Sequence, residues 1–253
     1  MPSHEERAMP EVKPEFVTLK VSDGTTMRAF VAQPKRGSKL PGILVFQEAF
    51  GVNGHIRDVT QRLAREGYLA IAPELFHRTA AAGFEGNYAD FKSVMPHVAA
   101  LNDEGLEADI RTAHDALLKH SAADPRRIAC IGFCMGGRVS FLADLTLPLR
   151  AAISFYGGGI APSERKPGLT DRVGQMHAPL LMFWGGLDKH IGPEQREAVA
   201  KALRDEHKTF ASMEFADADH AFFCDERPSY NKSAAEQAWA LSLAFLKSNL
   251  QPR

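Results

Sequence analysis

Two short segments of the chain alternate apolar and polar residues. They are Glu15 to Lys20 and Thr25 to Ala32, on either side of Ser22-Asp23-Gly24. Alternation with a turn between predicts a β-hairpin, an antiparallel margin to a sheet. The apolar stretches that follow have another character. Gly42 to Phe46, Tyr68 to Ala72, Ile128 to Ile131, Ala151 to Tyr156 and Leu180 to Trp184 are continuous runs. Runs of this kind are expected of strands covered on both faces. Thr209 to Phe215 is the last predicted strand. Helical spacing fills the intervals. Ile56, Val59, Leu63 and Ala64 follow Asn53-Gly54 and stop at Gly67. Ile110, Ala113 and Leu117 lie within Leu106 to His120. A helix is predicted from Met135 to about Leu145, another from Pro193 through Glu194 to His207, and a last one from about Ser233 to Ser248, capped by Asn231 or Ser233.

Strands that alternate with helices predict one doubly wound, mostly parallel α/β sheet with helices on both faces. The segment from Glu74 to Val98, with Gly83, Gly86 and Pro96, is less regular. It predicts a long surface excursion with some helix. Residues 1–14, with prolines at 2, 10 and 14, predict a loosely held arm ahead of one domain over residues 15–250.

Length and charge narrow the class. The 253 residues suit a single large α/β domain, and the formal net charge of −1 gives no support for nucleic acid or an anionic membrane as partner. Met1 to Val12 lacks the apolar core of a signal peptide, and no stretch approaches the roughly 20 apolar residues of a membrane span. The expectation is a cytoplasmic protein. Cys130, Cys134 and Cys224 have no paired spacing, so neither a disulfide framework nor a zinc site is expected.

The chemistry gathers around Gly132-Phe133-Cys134-Met135-Gly136-Gly137. An apolar strand stops at a glycine, turns through Cys134 and enters a helix. That is the cysteine version of a nucleophile elbow, which holds its nucleophile clear of the sheet and aims helix-start N–H groups at the substrate. In an open parallel sheet the site lies at the carboxyl ends of the strands. Glu48, Cys134, Asp188 and His220 all fall there. The order nucleophile, acid, histidine is that of an α/β-hydrolase triad. Cys134 would attack an acyl carbon, His220 would shuttle the proton, and Asp188 would orient the imidazole.

These residues, with Gln47-Glu48-Ala49-Phe50-Gly51, Trp184-Gly185-Gly186-Leu187-Asp188 and His220-Ala221-Phe222, resemble the dienelactone hydrolase (carboxymethylenebutenolidase) family over about residues 15 to 248. The resemblance implies an α/β-hydrolase fold and a cofactor-independent, metal-free hydrolase of small lactones or esters. It implies Cys134, Asp188 and His220 as the triad, and Glu48 beside the thiol, where it helps set the thiol's charge state. The oxyanion hole would be the backbone N–H groups of Met135 and Ala49. Arg78 falls where the family binds a substrate carboxylate. The chain departs from the pattern after His220: Cys224 stands four residues on, where the best-known members carry an arginine, and Arg227 is the candidate stand-in. That departure keeps a broader carboxylesterase or thioesterase of the same fold as the alternative.

Other residues read as structural. Cys130 is expected to be a small buried residue, and so is Cys224. His55, His77, His97 and His190 have no metal-ligand spacing. Asp217 and Asp219 share the loop of His220, which leaves Asp188 as the better acid. Trp184, Tyr156 and Phe50 sit at strand ends, where either pocket or core packing accounts for them. Oligomeric state is left open by the sequence.

Overall fold

In the computed structural model, which describes residues 10–163 and 167–252, the chain forms one eight-stranded sheet. The strands are β1 (Val12–Lys20), β2 (Thr26–Pro34), β3 (Leu40–Phe46), β4 (Leu69–Pro73), β5 (Ala123–Phe133), β6 (Ala151–Phe155), β7 (Leu180–Gly185) and β8 (Phe210–Phe215). Their spatial order is β1-β2-β4-β3-β5-β6-β7-β8. The hairpin β1–β2 is antiparallel, as is β2 against β4; every other pair is parallel. The helices are α1 (Gly54–Arg65), α2 (Phe91–Ala100), α3 (Asp103–Lys119), α4 (Met135–Thr146), α5 (Pro193–Asp205) and α6 (Lys232–Asn249).

The continuous apolar runs explain the middle of the sheet. Every residue of β4, β6 and β7 is buried, as are Gly42 to Phe46 of β3. Helices cover these strands: α1 packs on β2 and β4, α3 and α4 pack together over β5, and α6 lies against β6 and β7. The chain leaves β3 for β4 on one side and later returns to β5 on the other. A crevice therefore opens at the carboxyl ends of β3 and β5, the position where such sheets hold their ligands.

Three boundaries differ from the sequence pattern. β1 already pairs from Val12, so Val12, Lys13 and Pro14 of the expected arm belong to the edge strand, where a proline costs no interior ladder bond. Residues 1–9 of that arm lie outside the described residues. β5 reaches back to Ala123 and includes Asp124 to Arg127, which the sequence pattern reads as a turn. There the Asp124 carboxylate accepts from Arg126 N at 3.1 Å and Arg127 Nε at 2.9 Å, and the register with β3 shifts between Leu40 and Gly42. Finally, a short 3-10 turn at Thr170–Gln175, not anticipated from the pattern, precedes β7.

The excursion after β4 carries α2, with Pro96 inside it, and folds back on the loop after β3. A small satellite core of Ala49, Phe50 and Val94, with Phe84, Tyr88 and Val98 packed against it, joins the two. Gly86 N donates to Phe50 O at 3.0 Å. Gly51 has φ of +80°, and a Cβ there would collide with the Phe84 carbonyl, so only glycine lets the two loops approach so closely. No helix among the described residues is long and apolar enough to cross a membrane.

Candidate active site

Cys134 occupies the corner between β5 and α4 with φ of 55° and ψ of −117°, a backbone conformation that L residues adopt only when the surroundings impose it. The surroundings here are glycines and a strand. Cys134 N donates to Phe155 O of β6 at 3.0 Å. A Cβ at Gly132 would run into the Gly136 carbonyl, and one at Gly136 into the carbonyls of Phe46 and Gln47. The elbow therefore packs directly on the end of β3, which brings the loop of Glu48 and Ala49 beside it. Met135 is the first residue of α4, so its N–H is one of those a helix start leaves without an intrahelical partner. Ala49 is buried in the loop after β3.

His220 and Asp188 reach the corner from two other strand ends. His220 Nε2 lies 3.1 Å from Cys134 Sγ, and His220 Nδ1 lies 2.7 Å from Asp188 Oδ2. The other oxygen of Asp188 accepts from His190 N at 2.7 Å and Ile191 N at 3.3 Å, so its carboxylate is fixed on both sides. Burial opposes charge on Asp188, yet the hydrogen bond and charge of His220, with help from His190, hold its carboxyl below the ordinary value. Burial likewise opposes an imidazolium at His220. The charge of Cys134 and the bonds to Asp188 and Cys134 outweigh it and push the ring up to about 10. His220 thus stands between the Cys134 sulfur and the Asp188 carboxylate, both of which favour its charged ring. Asp217 and Asp219 serve their own loop: Asp219 Oδ1 accepts from His220 N at 2.6 Å, and Asp217 accepts from Asn231 Nδ2.

Glu48 is 1% exposed, and neither carboxyl oxygen has a hydrogen-bond partner among the described residues. Burial pushes its carboxyl above the ordinary value. The charges of Arg227 and His220 and the hydroxyl of Tyr156 pull the other way, and Glu226 adds to burial. Gln47 holds this loop in place. Its Nε2 donates to Glu48 O at 3.3 Å and its Oε1 accepts from Leu75 N at 3.1 Å. Sequence reasoning passed over Gln47, although a buried amide next to a strand-end glutamate is itself a signal.

Arg78, the expected carboxylate-binding candidate, has partners within the fold. Its guanidinium is taken up by Asp109 through two bonds of 2.8 Å, by Asp23 at 2.8 Å and by Gly105 O at 3.3 Å. Asp109, fully buried on α3, also faces His77 Nε2 at 3.0 Å, so this cluster fastens the excursion to α3 and leaves no free fork for a substrate. Arg227 lies differently: its guanidinium sits 5.5 Å and 5.6 Å from the ring centroids of Phe50 and Tyr88, and it is the strongest charge acting on Glu48. Cys224 is buried, with Sγ donating to Tyr88 OH at 3.4 Å, and burial followed by Glu48 pushes its thiol up to about 12. Tyr88 OH also accepts from Asn53 Nδ2 at 2.7 Å. Cys130 is buried under α4, where burial raises its thiol far above the ordinary range.

Among the histidines, His190 has its ring 5.4 Å from that of His220, while His97 meets Thr79 Oγ1 and His55 is buried in the first turn of α1. No group of three or more His, Cys, Asp or Glu among the described residues could hold a metal ion. A cleft of about 210 Å³, lined by Leu101, Asn102, Asp103, Met135, Arg138 and Pro167, opens beside the start of α4.

Comparison with known proteins points the same way as the fold. A protein of Escherichia coli (strain K12) named "Putative carboxymethylenebutenolidase" is 37% identical over 233 residues, covering 89% of this chain and 84% of its own. A protein of the same name from Synechocystis sp. is 34% identical over 236 residues, covering 90% of this chain and 94% of its own. A crystal structure of a "Putative Dienelactone Hydrolase" from Klebsiella pneumoniae superposes with a TM-score of 0.85 at 32% identity, over 94% of this chain and 99% of that one. The model of the dienelactone hydrolase family matches residues 27–250. With an α/β-hydrolase sheet, a cysteine elbow and relatives matched along nearly their whole length, the chain belongs to the dienelactone hydrolase family.

Proposed function

We propose that this protein hydrolyses small lactones or esters through an acyl-enzyme on Cys134, without a cofactor. The observation that carries the reading is the continuous chain from Cys134 Sγ to His220 (3.1 Å) to Asp188 (2.7 Å) at the head of α4. A thiol facing an imidazole that a buried carboxylate orients is the arrangement nucleophilic acyl transfer requires.

The steps follow from the atoms. His220 takes the Cys134 proton as the sulfur adds to the acyl carbon, and the carbonyl oxygen takes the negative charge. The N–H groups of Met135 and Ala49 receive that charge, with the start of α4 adding its dipole. The tetrahedral adduct collapses, the carbon–oxygen bond to the leaving group breaks, and the departing alkoxide or enolate takes the proton of His220. Water then attacks the thioester and gives a proton to His220. The second adduct expels the sulfur and frees the acid.

Burial beside this pair works against a negative charge on Glu48. Arg227, over Phe50 and Tyr88, is the remaining cation for a substrate carboxylate, since Arg78 is engaged by Asp109 and Asp23. That engagement, with Cys224 four residues past His220, favours a second reading: a carboxylesterase or thioesterase of broader range with one clamp on the acid instead of two.

Purified protein assayed on cis- and trans-dienelactone and on p-nitrophenyl acetate, beside Cys134→Ala and Cys134→Ser, separates these. Turnover of lactone by the parent, with at least a thousandfold loss in Cys134→Ala, is the expected result. Loss of a nucleophile removes most of the acceleration, on the order of 10³ or more. Activity that survives Cys134→Ala would remove the proposed nucleophile, and ester turnover without lactone turnover would select the broader esterase.

A further inference from the structure

At the amino ends of β5 and β6 the molecule carries a cavity of about 250 Å³, lined by Asp124, Arg126, Arg127, Arg150, Gln251 and Pro252. β5 begins at Ala123 and delivers Cys134 just past its other end, so this cavity and the catalytic corner lie at opposite ends of one strand. Half of the lining residues are arginine. Three guanidiniums against one carboxylate leave two positive charges uncompensated within the lining. Folding gains nothing by gathering like charges, so such a cluster asks for a counter-ion.

The three arginines are not equivalent. Arg127 is fastened: its Nε donates to Asp124 Oδ2 at 2.9 Å, and its terminal nitrogens donate to Leu250 O at 3.4 Å and to Lys39 O. Leu250 is the C-cap of α6, so this bond also offsets the negative helix end, which would otherwise repel an anion. Arg126 spends only its Nε, on Asp124 Oδ1 at 3.3 Å; its side chain is 78% exposed and its terminal nitrogens are unengaged among the described residues. Arg150 stands just before β6, where its N–H donates to Ile128 O at 2.8 Å and fixes its backbone. Its guanidinium is half-buried and has neither a hydrogen bond nor a carboxylate among the described residues. A fork of five donors withdrawn partly from water is costly to leave unpaired.

We propose that this cavity binds a small oxyanion of two or more negative charges, a phosphate or a polycarboxylate, through the Arg150 fork and the free edge of Arg126. Guanidinium forks match the paired oxygens of both groups, and two positive charges in excess match an ion of that valence. The size sets an upper bound on the ligand. About 250 Å³ falls below the roughly 300–1,000 Å³ of pockets that enclose drug-sized molecules, so the cavity suits an ion of a few heavy atoms. Arg127, held by its three acceptors, and Asp124 form a fixed floor on which the two freer arginines close. The acyl transfer proposed above uses none of these residues, so the anion site stands whether or not that reading does.

Isothermal titration of the full chain with inorganic phosphate, with citrate and with acetate as the monovalent control tests this. Ionic strength is held constant, which removes the general screening that any added salt brings. The parent should bind phosphate or citrate at one saturable site with a Kd on the order of 1 mM or tighter, and acetate far more weakly. Saturation by phosphate alone or by citrate alone names the source of the oxyanion. Arg150→Gln should weaken binding roughly tenfold or more, the loss of one charge-assisted pair, and the double variant Arg126→Gln/Arg150→Gln should abolish it. Arg150→Lys keeps the cation and loses the fork, so its affinity should fall between parent and Arg150→Gln; it also carries the comparison where the glutamine variant does not fold. No saturable binding of either multivalent anion by the parent, acetate binding as tightly as citrate, or binding that persists in the double variant would overturn the proposal. The last of these would place the anion elsewhere on the molecule.

Discussion

At the scale of single residues, the charge of His220 decides how the site rests. A ring that titrates at about 10 is an imidazolium under neutral conditions, held by Cys134 on one side and Asp188 on the other. Replacing Asp188 by asparagine keeps the shape and removes the carboxylate charge beside the ring. The nitrogen resonances of the His220 ring should then titrate well below the parent midpoint, and turnover should fall by on the order of 10³–10⁴ as the imidazole loses its oriented tautomer. An unchanged midpoint would assign the whole effect to Cys134. The meeting of Cys134, Asp188 and His220 was legible in the chain, because each follows an apolar strand and strand ends of a parallel sheet converge. Their order then left little choice among acids: Asp217 and Asp219, two nearer candidates, are absorbed by Asn231 and by the backbone of His220.

At the scale of elements, the histidine loop depends on the helix that follows it. Asn231 caps α6 by accepting from Ala234 N at 3.1 Å, donates its own N–H to Phe222 O at 3.0 Å, and reaches Asp217 with its Nδ2 at 3.2 Å. One side chain thus starts the helix and ties down the loop, in which Ala221 holds a φ of 62°. Asn231→Ala should cost about 1 kcal/mol of stability and also lower kcat. Asn231→Ser keeps a good cap but is too short to reach Asp217, so it should melt near the parent and still lose turnover. Equal activity in parent and Asn231→Ser would mean that the cap alone matters. This division of labour was only half visible from sequence. Sequence narrowed the cap to Asn231 or Ser233, just before an apolar helical pattern; the bond to Asp217 depends on where a loop folds back. Arg78 shows the same limit. The resemblance implied a substrate role for it; its partner Asp109 sits mid-helix on α3, where sequence gives no sign that two elements will meet. Tyr156 was left between pocket and core for a related reason: sequence does not show that a strand-end tyrosine buries its hydroxyl without a partner among the described residues.

At the scale of the whole molecule, the net charge of −1 hides opposing titrations in the interior. His55, buried in the first turn of α1 with Nε2 unpaired among the described residues and Nδ1 3.9 Å from Asp225, is lowered by burial to about 4. The unfolded chain binds that proton at about 6.5, so between those values acid favours unfolding, and stability falls as pH falls, by up to about 3 kcal/mol. Asp144, buried on α4, does the reverse. Its Oδ1 accepts from Ala178 N at 2.8 Å and His177 N at 3.3 Å, its Oδ2 is unpaired, and burial raises it to about 7. The folded state holds its proton more tightly than the unfolded chain does, so stability grows as pH falls from about 7 toward about 4, by up to about 4 kcal/mol. The two slopes nearly cancel, and the parent should show a flat melting temperature over that window. His220 adds a term only on the alkaline side: raised to about 10, it stabilises below about 6.5 and that contribution is lost as pH rises through about 10. Single variants expose the balance. His55→Gln should melt progressively higher relative to the parent as pH is lowered from about 7 to about 4, by up to roughly 6–12 °C, and Asp144→Asn progressively lower, by up to roughly 8–16 °C. Melting curves of both variants that run parallel to the parent over this range would show that neither buried group carries the proton assigned to it.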